Sequence, residues 1–134
     1  MTVYKDPHYF IRGSRGCVRK CAFCNVPLIW KKFAWRGGEH IADEIIDLYE
    51  KHNVKKFYLI DSLTNGNQKE FMNLMRWISQ YKKLTKAKFS IGGQFIMREK
   101  KQVPDNMFKL MKDAGYSEPT IGIESGSEKV RKEL

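Results

Sequence analysis

Four short apolar runs alternate along this chain with stretches whose apolar residues recur at helical spacing, and that alternation constrains the fold more than any other feature. Residues 8–11, "HYFI", read as a strand that breaks into glycines. From Glu39 the pattern changes: Ile41, Ile45, Leu48, Tyr49 and His52 mark a helix ending near Asn53. Residues 57–60, "FYLI", closed by Asp61, read as a buried strand. Phe71, Leu74, Met75, Ile78 and Tyr81 define a second amphipathic helix with Asn67 as its N-cap. "AKFSIGG" is a third strand, and "PDNMFKLMKDAG" a third helix with Pro104 near its first position and Gly115 as its stop. "PTIGIESGS" supplies a fourth strand before "EKVRKEL", a helix start.

This order predicts parallel strands joined by right-handed crossovers. A closed eight-unit barrel takes more than about 200 residues, and the chain has 134. The expected fold class is therefore α/β, a partial (β/α) barrel arc of about four parallel strands with helices on the outer face. One domain is expected over residues 1–134, incomplete at its C-terminus because the last helix has just begun. No apolar run reaches membrane-spanning length, and "MTVYKDPHYF" lacks a signal-peptide pattern. Both features suggest a cytoplasmic protein that does not enter a membrane. The net charge of +10 suggests an anionic partner such as nucleic acid. That signal is weak: the lysines are scattered over helices and turns, and a solvated surface is the better account of them.

All three cysteines fall within "GCVRKCAFCN", as Cys17, Cys21 and Cys24. An odd number so tightly spaced suits metal or redox chemistry better than a disulfide framework. A closed zinc site wants four ligands. His8, His40 and His52 are the candidates for the fourth, and none sits at a usual finger spacing. A [4Fe–4S] cluster normally takes four thiolates, one per iron. Three would leave one iron open to a small molecule. Arg12, Arg15, Arg19 and Lys20 supply positive charge beside the thiolates, and Gly13 and Gly16 would let the backbone approach a bulky cluster.

"CVRKCAFC" resembles the C-x3-C-x-aromatic-C motif of the radical S-adenosylmethionine (SAM) enzymes, with Phe23 in the aromatic place. "FIRGSRGCVRKCAFCNVP" and "IGIESGSEKVRKEL" are similar to its methylthiotransferase-like and cobalamin-associated branches, so the likeness covers residues 9–134. The resemblance implies the N-terminal part of a (β/α)6 core. Cys17, Cys21 and Cys24 would each ligate an iron, and S-adenosylmethionine would chelate the fourth. Reductive cleavage would then yield a 5′-deoxyadenosyl radical that abstracts hydrogen from a substrate. An external electron donor of flavodoxin or ferredoxin type is implied. Cobalamin would belong to a domain this sequence lacks, and missing strands or a partner chain would finish the site. The substrate stays open, RNA included. The rival reading is a non-catalytic zinc or iron–sulfur module with a basic nucleic-acid-binding surface.

Active sites of β/α barrels gather at the C-terminal ends of the strands. Those ends hold Asp61, Ser62, Thr64 and Asn65, then Gln94, then Glu124 and Ser125. The resemblance assigns Asp61 and its neighbours to the methionine ammonium, and Glu124 and Ser125 to the carboxylate or the ribose hydroxyls. Asp61 and Asn67 organising a turn, and Ser125 opening a helix, is the plainer alternative. "GGE" at residues 37–39 spells a SAM-contacting triplet of the superfamily. It precedes the first long helix here and reads as a helix start. "IWKKFAWRGG" interleaves aromatics with cations and is expected to be a lid over the cluster, with nucleic-acid stacking as the other option.

Overall fold

The computed structural model describes residues 8–133. Strand β1 (Tyr9–Ile11) runs into a ribbon of two short antiparallel strands, β2 (Ser14–Arg15) and β3 (Ala34–Trp35), which brackets the cysteines and a one-turn helix, α1 (Val26–Ile29). There follow α2 (Gly38–His52), β4 (Lys56–Leu59), α3 (Gln68–Thr85), β5 (Ser90–Gln94), a 3₁₀ turn (Lys100–Gln102), α4 (Met107–Ala114), β6 (Tyr116–Thr120) and α5 (Glu128–Glu133). Strands β1, β4, β5 and β6 form one parallel sheet in that spatial order. Ile11, Leu59, Gly93 and Pro119 lie in one row across it. This is the expected arc of a barrel.

Residues alternate along each strand, so one face of the sheet collects Ile11, Phe57, Leu59 and Ile91, all essentially inaccessible to water. They meet Ile41 and Ile45 of α2, Phe71, Leu74 and Met75 of α3, and Met107 of α4 in one cluster. Burying each such side chain contributes roughly 1.5–3 kcal/mol. The opposite face carries Phe10, which is 63% exposed, and Tyr58. Helix ends follow the sequence closely. The Asn67 side chain accepts from the Glu70 N–H at 3.2 Å, as an N-cap should. Glu70 in turn accepts from the Gly38 N–H at 2.8 Å, so α3 caps α2, and that bond holds the Glu70 carboxyl below its ordinary value. Gly38 opens α2, in line with reading "GGE" as a helix start.

Four expectations shift. The fourth strand starts at Tyr116, directly after the left-handed Gly115, rather than at Pro119. Its ladder pairs Thr120 with Gln94, where β5 ends, so Ile121 and Ile123 have no strand left to pair with and stay exposed. Pro104 lies before α4 and lends its carbonyl to the Met107 N–H. His52 is exposed rather than part of the apolar stripe. The β2–β3 ribbon was not foreseen, because two-residue strands leave no period to read.

Candidate cofactor site

In a parallel sheet every strand ends at the same edge, so the loops after β1, β4, β5 and β6 converge. They surround a cavity of about 630 Å³. The loop after β1 contributes Cys17, Arg19, Lys20, Cys21, Phe23 and Cys24; the loop after β4 contributes Ser62 and Leu63. Gln94, Phe95 and Ile96 come from the end of β5, Gly122, Ile123 and Glu124 from beyond β6, and Arg131 from α5. Cysteines, Phe23, Ser62, Gln94 and Glu124 were all singled out from sequence, and the structure places them around one space. Arg131 was not: a cation on a short terminal helix carries no local signal.

The cysteine loop is held at both ends. Asp61, 3% exposed, accepts from the N–H groups of Gly13 and Ser14 through Oδ1. Among the described residues its Oδ2 has no hydrogen-bond partner, and burial raises its carboxyl pKa above the ordinary value despite those bonds. The Arg36 N–H returns to the Gly13 carbonyl at 2.8 Å. Gly13 and Gly16 serve these close approaches rather than making room for a cluster. A Cβ on Gly13 would meet Ile41 at 2.9 Å and Asp61 at 3.0 Å; on Gly16, which has φ +82, it would meet the Lys32 carbonyl at 2.8 Å.

Three expected contacts therefore turn inward. Asp61 braces the start of the cysteine loop and does not line the cavity. Thr64, fully buried, donates from Oγ1 to the Gln94 carbonyl at 2.6 Å and accepts from the Tyr116 hydroxyl at 2.9 Å. Asn65, also fully buried, uses both amide atoms on the Ile96 backbone, at 2.9 and 3.0 Å. These bonds fasten the β4 loop to the end of β5 and so fix the rim that carries Gln94. Ser125 leaves the cavity as well: its Oγ accepts from the Ser127 N–H at 3.1 Å, a turn leading into α5. Glu124 stays at the rim with φ +63. The other non-glycine residues with positive φ, Asn53 and Lys86, terminate helices. Glu124 has no such reason, and a left-handed conformation costs a residue of its kind about 1–2 kcal/mol.

The expected lid is also corrected. Trp35 packs against the apolar core, Phe33 is half-buried and Trp30 is 41% exposed. None of the three lines the cavity, because the β2–β3 ribbon draws the connector away from it.

All three thiols are free. The Cys24 N–H closes a turn onto the Cys21 carbonyl at 3.0 Å, and the Arg19 N–H donates to Cys17 Sγ at 3.4 Å. Among the described residues no three His, Cys, Asp or Glu side chains gather as one metal ion requires. Three separate thiols at one roomy cavity, one already accepting a backbone N–H, fit a multi-iron cluster that gives each sulfur its own iron.

The profile of the radical SAM superfamily matches residues 11–134. The chain belongs to the radical SAM superfamily. Among curated relatives it is 27% identical over 122 residues to the cytidylyl-2-hydroxyethylphosphonate methyltransferase of Streptomyces wedmorensis, covering 90% of this chain and 22% of that protein. It is 29% identical over 131 residues to the ribosomal protein uS12 methylthiotransferase RimO of Pseudothermotoga lettingae, covering 93% and 29%. This radical SAM chain thus spans less than a third of the length of those relatives. Its fold is similar to that of TsrM, a radical S-adenosylmethionine methyltransferase from Kitasatospora setae solved with cobalamin and a [4Fe-4S] cluster bound. The TM-score is 0.78 at 16% identity, over 92% of this chain and 24% of that one. The same enzyme with tryptophan and a SAM analog gives 0.76 at 17%, over 90% and 22%. Among the described residues no helix is long and apolar enough to cross a membrane.

Proposed function

We propose that this radical SAM chain carries the cluster-binding and cofactor-binding part of an enzyme, with Cys17, Cys21 and Cys24 holding a [4Fe–4S] cluster. When bound, such a cluster supplies the single electron that cleaves S-adenosylmethionine to methionine and a 5′-deoxyadenosyl radical. The observation that carries the reading is the convergence of the three free thiols with Ser62, Gln94 and Glu124 on one cavity.

The chain's own residues have separable tasks. The Arg19 N–H, together with the Arg19 and Lys20 side chains, offsets negative charge at the sulfurs. Ser62 and Gln94, rather than the buried Asp61, offer acceptors to the methionine ammonium. Glu124, held at the rim by its unusual backbone, accepts from the ribose hydroxyls. Phe23, Phe95 and Ile96 give the cavity apolar walls that exclude water from a reactive intermediate. Asp61, Thr64 and Asn65 position these groups without touching the cofactor. The substrate enters where the sheet's other face is open, and its identity lies with parts of the relatives that this chain does not span.

Electron paramagnetic resonance on protein reconstituted anaerobically with iron and sulfide tests this. The reduced protein should give a four-iron signal that changes when S-adenosylmethionine is added. One tightly bound zinc per chain and no cluster signal would overturn the proposal in favour of a metal-binding module. A cluster signal indifferent to S-adenosylmethionine would remove Ser62, Gln94 and Glu124 from the cofactor site.

A further inference from the structure

Residues 12–15 and 34–36, the two sides of the β2–β3 ribbon, line a second cavity of about 210 Å³. It shares no residue with the cysteine cavity. Its lining holds three arginines, Arg12, Arg15 and Arg36, and no acidic residue. The ribbon brings them together: Ser14 pairs with Trp35 and Arg15 with Ala34, and the Arg36 N–H donates to the Gly13 carbonyl at 2.8 Å. Like charges gathered on one small cavity repel each other unless something answers them.

One of the three is answered within the fold. Arg36 pairs with Glu44 through Nη2 at 2.6 Å and donates from Nη1 to the Arg12 carbonyl at 3.0 Å, so it is fixed in place. Arg12 and Arg15 form no ion pair among the described residues. The Arg15 guanidinium lies over the Trp30 ring, 5.6 Å from its centroid, a contact that leaves its N–H groups available. Two more donors belong to the same lining. Neither the buried Ser14 Oγ nor the buried Trp35 Nε1 has a hydrogen-bond partner among the described residues. A wall of cations and donors suits an oxyanion. Pockets that enclose a drug-sized molecule start at about 300 Å³, so this one suits a single small group. A carboxylate has one charge and two oxygens, enough for one guanidinium fork. A phosphate group has more oxygens and up to about two charges, and can engage two forks at once.

We propose that the ribbon cavity binds a phosphate group through Arg12 and Arg15, with Arg36 beside them as a fixed third charge. The proposal does not rest on the cluster or on S-adenosylmethionine, and its test reads neither.

Potassium phosphate is titrated calorimetrically into the intact chain at constant ionic strength, with potassium acetate and a short oligouridylate as the other probes. Phosphate should saturate one site per chain, and acetate should bind about tenfold more weakly or worse. Arg12→Gln and Arg15→Gln should each weaken the phosphate Kd about tenfold or more, the loss expected of one charge-assisted fork. Arg15→Lys, which keeps the charge and loses the fork, should weaken it as well. Lys109→Gln, at an exposed cation on α4, should leave it unchanged. Phosphate should also raise the Tm of wild type and not that of the two glutamine variants. That comparison is made within each protein, so a variant of lower stability still reports. Absence of saturable phosphate binding to wild type overturns the proposal, as does a Kd that ignores both arginine variants. Equal weakening by Lys109→Gln would show diffuse attraction only, and equal affinity for acetate would remove phosphate as the ligand; either overturns it. Oligouridylate binding more tightly than phosphate, and lost with the same arginines, would place the phosphate in an RNA backbone. Oligouridylate binding no better than phosphate would place it in a small phosphorylated molecule.

Discussion

Behind the sheet, Ile41, Ile45, Phe57, Leu59, Phe71 and Leu74 are wholly buried in one apolar cluster; at its edge, no side chain from Cys17 to Arg36 is fully buried. The helical side is held by area removed from water, which is non-directional and cooperative. The cysteine loop is held by a few directed bonds: Asp61 to two backbone N–H groups, Arg36 to the Gly13 carbonyl, and the 2.6 Å Arg36–Glu44 ion pair. A loop built this way can be altered, or change shape around a ligand, without unfolding what lies behind it. The scaffold and the chemistry are thus energetically separate, with Asp61 as the main tie between them.

Four variants can break or sharpen that contrast. Cys21→Ala should abolish the four-iron signal altogether while thermal unfolding of the metal-free protein stays within about 0.5 kcal/mol of wild type. A large stability loss would show that the loop supports the core after all. Phe57→Ala, in the centre of the cluster, should do the reverse: urea denaturation should reveal a loss of about 3–5 kcal/mol, and any protein that remains folded should still take up iron.

Asp61→Ala tests the tie. Leaving the Gly13 and Ser14 N–H groups without an acceptor should cost about 2–4 kcal/mol, and, unlike Phe57→Ala, it should also lower the iron retained per folded chain. Iron uptake equal to wild type would mean that the loop finds its shape unaided.

The smallest effect is in Asp61→Asn, which keeps an acceptor but removes the charge. Burial raises the pKa of the folded Asp61 carboxyl above its ordinary value of 3.8, so the native state keeps its proton to higher pH than the unfolded chain. Its contribution to stability is therefore fullest below 3.8 and is lost as pH rises through the folded value. The variant lacks this dependence. Its stability relative to wild type should be highest near neutral pH and decline as the pH is lowered through the raised value. Paired urea titrations across that range would check this; a difference independent of pH would show that Asp61 does not feel its burial.

What was legible in the sequence follows the same division. The helices around Ile45, Met75 and Met111, the Asn67 cap and the Gly115 stop were all local patterns, and each stands where its period or cap residue put it. The three cysteines were legible because ligand spacing within eight residues is also a local matter. Asp61, Thr64 and Asn65 were located at the right strand end, yet their role there depended on which backbone groups lay across the sheet. Periodicity carries no information about partners 30 to 50 positions away. Ile121 and Ile123 misled for a related reason: an apolar alternation becomes a strand only where a neighbouring ladder continues beside it.

The sequence by itself determined the order of elements, the parallel arc that such an order requires, and the cluster of thiols after the first strand. Those depend on short-range sterics, hydrophobic period and ligand spacing, which are written in consecutive residues. Only the tertiary structure decided which polar side chains face the cavity and which are spent on holding its rim. Those outcomes depend on which buried donors and acceptors find each other when distant loops meet at one edge of the sheet, where an unpaired group is costly enough to override any local preference.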